Sequence, residues 1–129
     1  MPATNGVVYG EPPLSRIASE TIVAGHAVKD SAVSNTADLC DTTGEEMLGM
    51  ALNGAAEGET FAVQCAGTHD RAIAGAQIAT INTPLMVNTA GRFIAATSTK
   101  VIVGWNLSAA AGDGSEFGIR FNQGGKVLA

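Results

Sequence analysis

The amino-acid sequence predicts an all-β protein: a small barrel-like domain of two related halves with an extended N-terminal arm. Three observations carry that prediction. First, the chain says nearly the same thing twice. Leu48-Gly49-Met50-Ala51-Leu52, then Gly58-Glu59-Thr60-Phe61-Ala62-Val63, returns as Val103-Gly104-Trp105-Asn106-Leu107, then Gly114-Ser115-Glu116-Phe117-Gly118-Ile119. Upstream, Ala24-Gly25-His26-Ala27-Val28 is echoed by Ala74-Gly75-Ala76-Gln77-Ile78. A period of roughly 50–56 residues marks a duplicated supersecondary unit, and two copies are too few for a solenoid. Second, Phe61, Val63 and Cys65 alternate with smaller residues, as do Phe117, Ile119 and Phe121, which puts each set on one side of a pleat. Third, turn formers recur at close spacing and no long amphipathic helix is present, the pattern of a β-barrel or sandwich.

Taken in order, residues 1–20 read as the arm and 21–129 as the barrel-like domain, with the repeat at about 22–67 and 72–121. In the arm, Pro2, Gly6, Gly10, Pro12 and Pro13 interrupt regular structure, and residues before proline favour extended backbone. Val7-Val8-Tyr9 is a short β-prone island within it. Such an arm is either a disordered tail or a segment that orders by adding a strand to a partner. Thr21-Ile22-Val23, Ala27-Val28 and Ala32-Val33 read as strand, and polar Ser34 to Gly44 as a surface loop. Met47 to Leu52 reads as a strand whose Gly49 marks a bulge or a close backbone approach. The connections Asn53 to Glu59 and Ser108 to Ser115 hold alanine runs that suit one helical turn. Thr83 to Ala95 reads as a hairpin turning at Asn88-Thr89-Ala90-Gly91. Gly124-Gly125 ends the last strong strand.

The chain has 129 residues, enough for one domain with its own core. Its apolar residues are small: 22 alanines against six aromatics. Small side chains bury little area each, so a monomer's core is thin and oligomerisation is expected. Net charge is −5 and the seven basic residues are scattered. Nucleic-acid binding needs clustered Lys and Arg, so DNA and RNA are not expected as direct partners, nor is an anionic membrane. No stretch reads as a transmembrane helix or signal peptide, which leads to an expectation of synthesis and retention in the cytoplasm. Cys40 and Cys65 are then expected as reduced, partly buried thiols.

Catalytic chemistry is not legible. His26, Cys40, Cys65 and His69 lack the spacing of a zinc site. Asp38, Asp41, Glu45 and Glu46 do not match a calcium loop and read as solvated charges. There is no G-x-S-x-G, and Gly124-Gly125-Lys126 lacks the rest of a phosphate loop. The expectation is a non-enzyme with no catalytic residues, metal or cofactor. Trp105 stands in the repeat where Met50 stands, which suits packing, with Phe93 and Leu85, in the core or between subunits.

Thr83-Pro84-Leu85-Met86-Val87-Asn88-Thr89-Ala90-Gly91-Arg92-Phe93-Ile94-Ala95 resembles a segment of the lambda-type phage head decoration protein family. Ala24-Gly25, Leu48-Gly49-Met50-Ala51-Leu52, Ala55-Ala56, Gly58-Glu59 and Val103-Gly104 are similar to the wider pattern of tailed-phage capsid cement proteins. Together these cover Ile22 to Phe121. The resemblance implies a barrel-like subunit that forms a homotrimer on the exterior of the mature capsid, made in the host cytoplasm. There it clamps neighbouring copies of the major capsid protein against internal pressure. It also implies capsid attachment through the arm, here Val7, Val8, Tyr9, Pro12 and Pro13. The rival reading is a virion-borne module that binds glycans or the host surface, which needs an exposed aromatic platform.

Overall fold

In a computed structural model, residues 13–122 are described. Among them the chain forms ten strands and no helix. The first five are β1 (Leu14–Ala18), β2 (Ala27–Asp30), β3 (Thr36–Leu39), β4 (Gly49–Ala51) and β5 (Thr60–Gln64). They close into a barrel in the order β1-β3-β2-β4-β5, with β1 antiparallel to β5 and parallel to β3. The second five are β6 (Thr68–Ile73), β7 (Pro84–Val87), β8 (Phe93–Ala95), β9 (Gly104–Asn106) and β10 (Glu116–Phe121). Their order is β6-β10-β9-β7-β8, and a single parallel bridge, Ala74 to Phe93, links the two ends.

Both halves have one topology, displaced by about 56 residues. Hydrogen bonds repeat across that shift. The Ala18 amide donates to Glu59 and the Ala74 amide to Ser115, each at 2.8 Å. Isolated bridges join Ile22 to Ala55 and Ile78 to Ala110. Backbone strain repeats too: φ is 88° at Gly58 and 87° at Gly114, and 65° at Asn35 and 76° at Gly91. A Cβ on Gly49 would sit 2.3 Å from the Gln64 carbonyl oxygen, and one on Gly104 2.4 Å from that of Arg120. The glycine inside each strand is therefore a close backbone approach. The bridges also correct the upstream echo. Ile78 occupies the place of Ile22, so Ala74 to Ile78 is out of step with Ala24 to Val28.

Leu14–Ala18, within the segment read as arm, is the strand that closes the first barrel. Its side chains hide this, because only Ala18 is buried; backbone pairing on both edges holds it. Thr36–Leu39 is a strand inside the stretch read as a loop, whereas Val33 lies in the preceding turn and is 67% exposed. The two alanine-rich connections hold no helix; Ala55 and Ala110 are drawn into the bridges instead. The Thr83–Ala95 hairpin forms, with Leu85 opposite Ala95 and Val87 opposite Phe93. Asn88 fastens its turn, its Oδ1 accepting from the Ala90 and Arg92 amides.

Two apolar clusters fill the molecule. Ala18, Ile22, Val28, Ala51, Phe61 and Val63 are among those that fill the first barrel. The other cluster holds the second barrel's Leu85, Val87, Phe93, Phe117 and Ile119, together with Ala27, Cys40 and Met50 from the first half. Neighbours Ala27 and Val28, and likewise Met50 and Ala51, belong to different clusters because successive side chains point to opposite sides of a strand. The outer wall of the first barrel is thus packed against the second. Backbone bonds join them as well. The Gly44 amide donates to Val87 at 2.8 Å and the Val101 amide to Gly44 at 3.3 Å.

Candidate functional site

The seam between the barrels holds a buried histidine in a polar arrangement. Gly25 to Ala27, leading into β2, lies between the end of β6 and the β7–β8 turn. The Ile73 amide donates to the Gly25 carbonyl at 3.0 Å, and the Ala27 amide to that of Gly91 at 2.7 Å. This places the buried His26 beside Arg92, whose Nε donates to His26 Nε2 at 3.2 Å. Arg92 also reaches Asp113, with Nη1 2.6 Å from Oδ1. His26 Nδ1 faces the Ala24 carbonyl at 3.3 Å. With Nε2 accepting, the ring is neutral and carries its proton on Nδ1. Burial depresses the His26 pKa; the Ala24 bond opposes this and the Arg92 charge adds to it. The arrangement fixes the seam and leaves no unprotonated nitrogen for a substrate.

His69, Cys40 and Cys65 do not join His26 in one cluster. Among the described residues no group of three or more His, Cys, Asp and Glu could hold a metal ion. His69 lies on β6, where Nδ1 accepts from the Arg71 amide at 3.1 Å. Its pKa is lowered, chiefly by burial. Cys40 is packed in the shared core, and burial pushes its thiol up to about 12. The acidic cluster staples a turn: Lys29 reaches Asp41 at 2.7 Å and Glu45 at 3.1 Å, while Glu45 accepts from the Asp41 and Thr42 amides. These hydrogen bonds raise the Lys29 pKa and lower that of Asp41.

Of the attachment residues expected from the sequence, Val7, Val8, Tyr9 and Pro12 lie outside the described residues. Pro13 is exposed and leads directly into β1, beside a shallow groove lined by Leu14, Asn53, Thr60 and Ala62. Any arm is therefore rooted on a closed barrel. Phe93 and Leu85 are fully buried in the shared core, and the Phe93 ring meets Phe117 edge-on at 6.2 Å. Trp105 is half-buried on β9, with the Arg120 guanidinium 4.5 Å from its ring centre. Arg120 Nη2 reaches Asn82 Oδ1 at 3.4 Å. Pro84, Trp105 and Arg120 are cross-strand partners and form one row on the surface. Arg120 and Asn82 were not singled out from sequence; the repeat alone points to this row, because Trp105 and Arg120 replace Met50 and Gln64.

These features define a closed five-stranded barrel fused to a five-stranded sheet of the same strand order, whose ends meet at one bridge, with an outward-facing row around Trp105. The sequence matches no family profile and no curated protein. Among solved structures it is similar to the N base of the head fiber gp8.5 in bacteriophage phi29, with a TM-score of 0.70. That likeness covers 89% of this chain and 97% of the other at 11% identity, so it is a likeness of fold.

Proposed function

We propose that this chain is a structural virion protein, without enzymatic activity, that binds the outer surface of a mature tailed-phage capsid. In its finer form the proposal is a homotrimer of the lambda-type decoration or cement class. It clamps neighbouring major capsid proteins through Val7, Val8, Tyr9, Pro12 and Pro13. The observation that carries this reading is the fold shared with the phi29 head fiber N base over nearly all of both chains. The hairpin resemblance at Thr83–Ala95 and the net charge of −5, which disfavours contact with packaged nucleic acid, support it. A trimer suits a clamp because three linked weak attachments act at high effective concentration. The glycan-binding alternative needs an open aromatic face, and on Trp105 the Arg120 guanidinium already covers part of the ring.

The test is binding to expanded heads that lack this protein, measured by sedimentation and gel densitometry. Saturable binding in multiples of three, with heads more resistant to heat, is the expected outcome. Deleting residues 1–12, which leaves β1 whole, should weaken binding by at least tenfold while trimers persist. Undiminished binding by that variant would remove the arm from the mechanism. Absence of binding by the full chain would remove the capsid reading itself.

A further inference from the structure

We propose that the Pro84–Trp105–Arg120 face of the second barrel docks onto the Ile17–Asp30–Asn35 face of the first barrel in a second copy of this chain. Repeated around the assembly, this contact is head-to-tail. The inference deepens the homotrimer reading above and rests on it. A head-to-tail contact closes into a ring when its rotation allows, and a ring of three such chains would contain six barrels.

The duplication carries this contact. In the first barrel the row Ala27–Met50–Gln64 runs across β2, β4 and β5, and all three residues are at most 1% exposed. Ala27 and Met50 of this row pack in the cluster shared with the second barrel, and Gln64 Nε2 donates to the Ala66 and Thr68 carbonyls where the chain passes into β6. The same row in the second barrel is Pro84–Trp105–Arg120, in which Pro84 and Trp105 are half-buried and Arg120 is exposed. Leu107, the counterpart of Leu52, is 49% exposed close by. Among the described residues, the second barrel therefore leaves partly exposed the face that its twin buries.

The receiving face is duplicated as well. In the second barrel, Ile73, Val87, Gly91 and Val101 make the backbone bonds to the first barrel. Their counterparts are Ile17, Asp30, Asn35 and Glu46, and Ile17 is 40% exposed, an apolar side chain left on the surface. One difference sets the character of the contact. Pro84 stands where Ala27 donates to Gly91, and proline has no N–H to donate. The Ile17 amide is already given to the Asn35 carbonyl at 2.8 Å. The copy-to-copy contact is thus made by side chains, an aromatic and an arginine against an apolar residue and the acidic Asp30 and Glu46. Trp and Arg are the residue types that dominate such interfaces.

The native protein supplies the first test, because Trp105 is its only tryptophan. Diluting the full chain through its dissociation range should red-shift Trp105 emission in step with the loss of trimer mass in analytical ultracentrifugation. A trimer whose tryptophan spectrum and quenching are unchanged on dissociation overturns the inference and leaves the trimer intact. A monomer at every concentration overturns the trimer reading instead. If that monomer's emission shifts on removal of residues 123–129, the chain's own C-terminus occupies the face. The second test uses Trp105→Glu and Ile17→Glu, each checked for a native circular-dichroism spectrum. Each alone should raise the dissociation constant about 30-fold or more. Mixed, they should form a 1:1 dimer, since each retains the face that the other has lost. Failure of the mixture to associate overturns a head-to-tail contact. Should either variant misfold, the dilution experiment decides alone.

Discussion

The two barrels close differently. In the first, the Ile17 amide donates to the Asn35 carbonyl and joins β1 to the β2–β3 turn. The equivalent groups in the second are the Ile73 amide and the Gly91 carbonyl, and they do not meet. Ile73 donates to Gly25 and Gly91 accepts from Ala27, so a segment of the first barrel stands in the gap. One topology is thus self-sufficient in one copy and completed by its neighbour in the other. This insertion joins two small halves, each poor in core, through backbone bonds and a shared apolar cluster. One direct closing bond is replaced by two bonds through Gly25–Ala27.

The largest test of this comparison lies just inside the second seam. Phe93 bridges to Ala74 and is fully buried, while its counterpart Ala37, opposite Ala18 in the first barrel, is equally buried. The second barrel is filled by an aromatic pair, Phe93 with Phe117, where the first has Ala37 with Phe61. Phe93→Ala should cost about 3–5 kcal/mol in urea unfolding, the usual cost of emptying a phenylalanine site. Ala37→Phe should also destabilise, by about 1–3 kcal/mol, through overpacking of the first barrel, where Ala37 is already fully buried. If Ala37→Phe were neutral, the two interiors would not differ as described.

A smaller effect is expected at the turn that receives the inserted segment. Gly91 has φ 76°, and a Cβ there would lie 3.1 Å from the Ala27 carbonyl oxygen and 3.3 Å from that of Cys40. Gly91→Ala should therefore cost about 1–2 kcal/mol from the left-handed backbone alone, with crowding of the seam added. Asn35 holds the same backbone position, at φ 65°, and within the single chain it is exposed. Asn35→Gly should change stability by no more than about 0.5 kcal/mol, since this site is exposed and glycine readily adopts that geometry. Equal effects at the two sites would show that the seam does not press on Gly91.

How much of this was legible in the sequence follows from where the information sits. The hairpin at Thr83–Ala95 was readable because two apolar runs flank a tight turn, and β5 and β10 because large apolar residues alternate. β1 and β3 were not. Each buries a single alanine, Ala18 or Ala37, and is held by backbone pairing, which no side-chain pattern records. The repeat was visible, but its upstream register was misread, because Ala-Gly recurs by composition at positions that are not equivalent. Arg120 illustrates the reverse. Trp105 is readable as a packing residue from its place in the repeat, whereas Arg120 stands out only beside the buried Gln64 that it replaces.

The mildest prediction concerns pH and the same seam. His26 is held neutral, its pKa below the ordinary value of about 6.5 because it is buried beside Arg92. In the unfolded chain it takes up a proton near that ordinary value, so as pH falls below about 6.5 the unfolded state binds more protons than the folded one. Stability is therefore full above that pH and is lost as pH drops toward the folded-state value. One such group steepens the decline by at most about 1.4 kcal/mol per pH unit. His69 is shifted the same way by burial but lies away from the seam, on β6, so it contributes with the same sign and serves as the comparison. Urea midpoints measured between pH 7.5 and 5 should fall for the native protein and for His69→Gln. They should fall less for His26→Gln, which keeps an acceptor for Arg92 but cannot be protonated. If both variants decline as steeply as the native chain, protonation at His26 does not govern the seam, and Arg92 with Asp113 carries its polar cohesion.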